Sequence, residues 1–154
     1  MSSNSKLKTG DKAPLFSLPD KDGKMINLAD YIGKTKLVVY FYPKDESYGC
    51  TKEACSFRDS YEDFREAGAE IIGISADDEA SHKGFAANHQ LPFILLSDKD
   101  KKVASLYGVG KTLGVLPGRV TFIIDKQGII RGIYSSQVNF QKHVDEALEV
   151  LRKI

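Results

Sequence analysis

Residues 36–75 read KLVVYFYPKDESYGCTKEACSFRDSYEDFREAGAEIIGIS, and their pattern decides the fold. Lys36 to Tyr42 is an unbroken β-branched and aromatic run, the composition of a strand covered on both faces, and Pro43 ends it. After a loop over 43–49, residues 50–67 contain no proline or glycine and place Ala54, Phe57, Tyr61 and Phe64 at steps of three and four. That spacing predicts an amphipathic helix, stopped by Gly68. Residues 70–75, EIIGIS, supply a second strand of the buried type.

Downstream, residues 78–89 predict a helix ended before Leu91 and Pro92, followed by a short strand over 93–96 and a short helix over 101–107. Gly108, Gly110 and Gly114 are expected to loosen the next stretch. Residues 119–124 and 129–134 flank Asp125-Lys126-Gln127-Gly128, a hairpin signal, and Phe140, Val144, Ala147, Leu148 and Leu151 share one face of a terminal helix. Upstream, APLFSL and MINL surround PDKDGK, which predicts a hairpin or two short strands. Residues 1–10 are polar and expected to be mobile. No repeat or linker divides the remainder, so residues 11–154 are read as one α/β domain with a mixed central sheet and helices on both faces.

A chain of 154 residues buries roughly 70% of the surface exposed when unfolded, enough for one real core. Lysine and arginine number 22 against 21 acids, so no net field draws the chain to nucleic acid or to an anionic membrane. No apolar run approaches the roughly 20 residues of a membrane span, and MSSNSKLKTG lacks the apolar segment of a secretory signal. A soluble cytoplasmic protein is expected, with a plastid location after removal of a transit peptide as the alternative. Two cysteines are too few for the disulfide framework of a secreted domain.

Cys50 follows a strand–loop connection at the expected start of a helix, where free N–H groups and the helix dipole favour an anion. A cysteine so placed is a nucleophile. It is otherwise a small buried hydrophobe, the usual state of a free thiol. Cys55 lies five residues on, and such positions in an intact helix have Cα atoms roughly 8–9 Å apart. The limit for a disulfide is roughly 7 Å, so a bond between the two requires the first helical turns to unwind. Without that motion Cys55 is an inert cysteine on the apolar face. Neither a metal nor a cofactor is expected: two thiolates fall short of four ligands, and His82, His89 and His143 have no paired spacing.

The segment FYPKDESYGCTKEACSFRD, residues 41–59, resembles the peroxiredoxins, and among them the peroxiredoxin Q or bacterioferritin comigratory protein group. Pro43, Ser47 and Cys50 stand in the PxxxSxxC arrangement, and Cys55 takes the position of that group's five-residue partner. GDKAPLFSLPDKDGK, AEIIGISADD, LPFILLSD and LPGRVTFIIDKQGIIR extend the resemblance over nearly the whole chain. It implies a thioredoxin-like fold with an added N-terminal hairpin. It also implies a thiol peroxidase, monomeric in many members, that takes hydroperoxides and is re-reduced by thioredoxin or a similar dithiol protein.

By the same resemblance Cys50 is the peroxidatic cysteine, oxidised to a sulfenic acid, and Cys55 the resolving cysteine that condenses with it. Ser47 would hold thiolate and peroxide through its hydroxyl, Arg119 would sit over the sulfur, and Pro43 would shield the pocket. An arginine suits that place, because it keeps its charge and offers several donors in one plane. The group usually carries proline after the serine or threonine, where this chain has Tyr48. Lys44, Lys52, Glu53 and Arg58 are read as a solvated rim, and the three histidines as surface residues. Two rivals remain: a dithiol oxidoreductase, whose expected signature is CxxC where four residues intervene here, and a non-catalytic binding module on the same scaffold.

Overall fold

The computed structural model describes residues 7–109 and 118–154. A hairpin of β1 (Ser17–Pro19) and β2 (Met25–Asn27) leads through a 3-10 turn, Leu28–Asp30, into β3 (Lys36–Phe41). Next come α1 (Tyr48–Asp59), α2 (Tyr61–Glu66), β4 (Ala69–Ser75), α3 (Glu79–His89), β5 (Ile94–Ser97) and α4 (Lys102–Leu106). The chain ends with β6 (Val120–Ile124), β7 (Ile130–Ser135) and α5 (Phe140–Leu151). Five strands form one sheet in the order β5-β4-β3-β6-β7, with β3 parallel to β4 and antiparallel to β6. The fold is α/β and thioredoxin-like, with the N-terminal hairpin added to it.

The central place of β3 explains its composition. Val38 and Tyr40 enter one core, while Leu37, Val39 and Phe41 enter the other, as the two-residue period of a strand dictates. The first core is roofed by Ala54 and Phe57 of α1, Phe64 of α2, Phe85 of α3 and Val144, Ala147 and Leu151 of α5. The second is closed by Phe16, Leu28, Val103 of α4 and Tyr107. Gly73 of β4 is paired with Tyr40, and a Cβ there would lie 3.0 Å from the Tyr40 ring, so glycine makes room for the aromatic layer.

The helix expected over 50–67 is two helices, bent at Ser60, whose backbone lies at φ −107°, ψ 12°. The bend turns Phe64 back onto Phe57, with ring centroids 5.7 Å apart. An unbroken helix would separate their backbones by roughly 10 Å along its axis. The expected mobility of residues 1–10 falls, for 1–6, outside the described residues; Leu7 packs against the second core and Gly10 N–H donates to Ile130 O at 2.8 Å. The loosening expected at Gly110 and Gly114 also falls outside the described residues.

Phe57, near the end of α1, stacks on Tyr40 at 4.6 Å between centroids and is fully buried. Phe57→Ala is expected to destabilise the fold by about 3–5 kcal/mol, measured by urea unfolding; a loss below about 1 kcal/mol would show that this layer can collapse into the gap.

Candidate active site

Helix α1 begins at Tyr48, two residues before the position expected from the spacing, with Ser47 as its extended N-cap. The first intrahelical bond runs from Thr51 N–H to Ser47 O at 2.9 Å, so the N–H groups of Tyr48, Gly49 and Cys50 have no partner within the helix. Cys50 thus occupies the first turn, with its sulfur at the positive end of the helix. It is 1% exposed, at the edge of the first core.

Arg119 enters from the residue before β6. Because β6 runs antiparallel to β3, its first residue, Val120, pairs with Phe41 at the end of β3, which sets Arg119 beside the loop leading to Cys50. Nη2 donates to Cys50 Sγ at 3.5 Å, and Nη1 donates to Glu53 Oε1 at 2.8 Å. The Phe140 ring lies 5.1 Å from the guanidinium carbon, a cation–π contact. Only 5% of Arg119 is exposed, so its charge acts where water screens it little.

Of the residues singled out in the sequence, the structure brings Cys50 and Arg119 into contact. Pro43 is exposed in the loop beside Gly118. Ser47 donates its hydroxyl to Lys44 O at 2.9 Å, which braces the loop; among the described residues it makes no hydrogen bond to Cys50. Cys50 and Cys55 are both free and lie in one continuous helix. Cys55 is half-buried, at a shallow groove lined by Glu46, Tyr48, Thr51, Lys52 and His89. Tyr48, 76% exposed, stands at this groove with Lys52 Nζ 5.6 Å from its ring centroid.

Three expectations are corrected. Glu53, read as part of a solvated rim, is fully buried, as are His82 and His143, read as surface residues. A signal existed for each. Glu53 precedes Phe57 by four, His82 precedes Phe85 by three, and His143 sits between Phe140 and Ala147, all on the apolar faces of their helices. Lys44 and Lys52 are exposed as expected, and half-buried Arg58 donates from Nη1 to His89 O at 2.8 Å. Burial pushes the Glu53 carboxyl up to about 8, against the opposing pull of Arg119.

The loop that delivers Cys50 is anchored by Asp45, which no motif flagged. Its carboxylate accepts from Tyr42 Oη at 2.7 Å, Ser81 Oγ at 2.8 Å and His82 Nδ1 at 2.7 Å. His82 Nε2 donates to Leu96 O at 2.9 Å, so both ring nitrogens face acceptors. The clamp ties the loop to α3 and β5. Burial alone would raise the Asp45 carboxyl, but the bonds from His82, Tyr42 and Ser81 outweigh it and hold it below the usual aspartate value.

A profile of the AhpC/TSA family matches residues 9–133. The chain belongs to that family. "Peroxiredoxin Q, chloroplastic" of Populus jackii is 51% identical over 150 residues, covering 97% of this chain and 70% of its own. The crystal structure of peroxidoxin BcpB from Mycobacterium tuberculosis superposes with a TM-score of 0.88 at 38% identity, over 96% of this chain and 98% of that one. A Xanthomonas campestris bacterioferritin comigratory protein, described for its alkyl peroxide reduction activity, superposes with a TM-score of 0.79 at 30% identity, over 90% of each chain. This peroxiredoxin is accordingly an enzyme, a thiol peroxidase of the peroxiredoxin Q group, in a family that uses peroxide substrates and thioredoxin-type reductants.

Two outcomes follow for the peroxiredoxin site. A Cβ on Gly49 would lie 2.9 Å from Arg119 Nη2 and 2.9 Å from Phe140 Cζ, so Gly49→Ala is expected to displace the guanidinium and slow peroxide attack by about 10–100-fold in stopped flow. An unchanged rate would show that Arg119 has slack. Asp45→Asn is expected to cost about 3–5 kcal/mol at neutral pH by leaving His82 without its anion. The lowered Asp45 carboxyl contributes stability above its unfolded value of 3.8 and loses it as pH falls through the folded value. Denaturant unfolding should therefore show the gap between wild type and Asp45→Asn closing over that acid window; a constant gap would contradict the clamp.

Proposed function

We propose that this enzyme reduces hydroperoxides at Cys50 and resolves the product through a Cys50–Cys55 disulfide. The contact of Arg119 Nη2 with Cys50 Sγ carries this reading, because it sets a buried cation on the sulfur that stands at a helix start. In the first step the Cys50 thiolate attacks the terminal peroxide oxygen. The O–O bond breaks, sulfur is oxidised to S–OH, and the leaving alkoxide or hydroxide takes up the proton the thiol had released. Arg119 donors and the free N–H groups of the helix start act on the negative charge as it moves from sulfur to the leaving oxygen. Ser47 braces the loop and Pro43 covers its outer side.

In the second step the Cys55 thiol condenses with the sulfenic acid, releasing water and forming S–S. Both cysteines lie in one helix, so its first turns must unwind. Oxidation favours that motion: a neutral sulfenic acid replaces an anion, and Arg119 loses its charge-assisted partner. The groove beside Cys55, with exposed Tyr48 at its rim, is where a dithiol reductant would reach the disulfide and take up the oxidation.

The relative named for alkyl peroxide reduction supports organic hydroperoxides as substrates beside hydrogen peroxide, and the chloroplastic relatives support a plastid location. Among the described residues no helix is long and apolar enough to cross a membrane. A monomer suffices for the chemistry, since both cysteines come from one helix.

Stopped-flow mixing of reduced protein with hydrogen peroxide is expected to oxidise Cys50 rapidly, and mass spectrometry to find a Cys50–Cys55 bridge within one chain. Cys55→Ser is expected to consume one equivalent of peroxide and then fail to turn over with a dithiol protein. An intermolecular bridge through Cys50 would contradict the resolution step, and slow oxidation of Cys50 the peroxidase step.

A further inference from the structure

Beneath the reactive sulfur lies a buried pair with no part in the steps above. Glu53 Oε1 accepts from Arg119, yet Oε2 has no hydrogen-bond donor among the described residues. It faces His143 Nδ1 at 3.4 Å, and both side chains are fully shielded from water. The other ring nitrogen, Nε2, lies 2.9 Å from the Ser136 carbonyl oxygen and so carries a hydrogen. Burial, with the nearby Arg119 charge, lowers the affinity of His143 for a second proton in spite of the Ser136 bond. The ring is neutral, and Nδ1 presents its one lone pair to the buried space between Thr121 Oγ1, 2.8 Å away, and Glu53 Oε2.

An ionised Glu53 would therefore turn a carboxylate oxygen toward a nitrogen lone pair in a dry site, leaving an anion's acceptor unsatisfied. One proton on Oε2 removes the buried charge and the opposition, and lets the acid share the Nδ1 lone pair with the Thr121 hydroxyl. Arg119 keeps its own bond, since Oε1 accepts in either form. We propose that Glu53 is a positioning residue held as the neutral acid, its proton on Oε2 directed at His143 Nδ1, so that the single charge of Arg119 serves Cys50 and the peroxide alone.

The proposal rests on Cys50 as the attacking thiol, and it explains how two acids share one arginine. Glu53 and the Cys50 thiol stand on the same helix and both touch the same guanidinium. The other titratable groups around the pair are His143 on α5, Tyr40 on β3, whose hydroxyl burial raises far above its ordinary value, and Tyr134 on β7, whose ring meets His143 edge-on at 4.8 Å between centroids. If Glu53 ionises, the Arg119 charge is divided and less of it reaches the sulfur and the breaking O–O bond. Peroxide attack should then weaken in mildly alkaline solution, near the ionisation of Glu53 at about 8.

The test compares wild type with Glu53→Gln, whose amide mimics the neutral acid by accepting from Arg119 and donating to His143. Infrared spectra of the wild type are expected to show the carbonyl band of a buried protonated acid that disappears as pH passes about 8. Glu53→Gln should lack that band. The stopped-flow rate constant for peroxide should fall between about pH 7 and about pH 9 in the wild type and lose that fall in Glu53→Gln. Folding stability supplies a third reading. A raised acid binds its proton when folded but not when unfolded between 4.5 and about 8, so wild-type stability declines as pH rises through that window. Glu53→Gln should not share that decline. An ionised Glu53 band at pH about 6, or equal alkaline falls in rate in the two proteins, would overturn the proposal. The infrared and stability readings need no peroxide, so they separate its failure from failure of the peroxidase assignment.

Discussion

One guanidinium, that of Arg119, joins the start of α1 to the start of β6, and the arrangement of the reactive end of the molecule follows from where it is held. Its Nη2 reaches Cys50 Sγ and its Nη1 reaches Glu53, while the Phe140 ring of α5 lies near its guanidinium carbon. A buried cation without an anion is costly, so the helix start, β6 and α5 are bound to one another by a shared need to satisfy it. Gly49 is the corollary: any larger residue would strike both Arg119 and Phe140. The antiparallel pairing of β3 with β6 makes this possible, since it brings the residue before β6 to the end of β3 where the loop to α1 departs.

The chemistry asks opposite things of α1. Under the proposed mechanism, peroxide attack requires Cys50 in an ordered first turn against Arg119, whereas condensation with Cys55 requires that turn to open. The two demands are separated in space by the Asp45 clamp. Asp45, with Tyr42, Ser81 and His82, fixes the loop on the strand side, so the proposed unwinding would be confined to the chain after Ser47. They are also separated in time, because the charge that Arg119 holds is lost when the sulfur becomes a sulfenic acid. A buried polar network on one side of the loop and a charge-dependent contact on the other give a segment that is firm until it has reacted.

The fold was largely legible because its signals are periodic. The run over 36–42, the three-and-four spacing through 54–64 and the hairpin at 125–128 each led to the element that the structure contains. The bend at Ser60 was not legible, since it depends on Phe64 finding the Phe57 ring across a tertiary contact. In the site, Cys50 and Arg119 were found by motif, and the structure brings them together. Glu53, His82 and His143 were missed because charge and polarity were weighed ahead of their position on apolar helix faces. Asp45 carried no periodic signal: a loop residue's burial is decided by partners more than thirty residues away, on α3. Tyr48 was noted as a departure, and its exposed ring stands at the groove beside Cys55.

The central claim is that a rigid, fork-shaped cation at position 119 activates Cys50, and Arg119→Lys tests it most directly because charge is kept while the two-pronged geometry is removed. Stopped-flow oxidation of Cys50 by hydrogen peroxide is the measurement. The account predicts a second-order rate constant lower by about 10²–10³-fold, with the fold retained by circular dichroism. A rate within about threefold of wild type would contradict it, showing that the helix start alone supplies the activation.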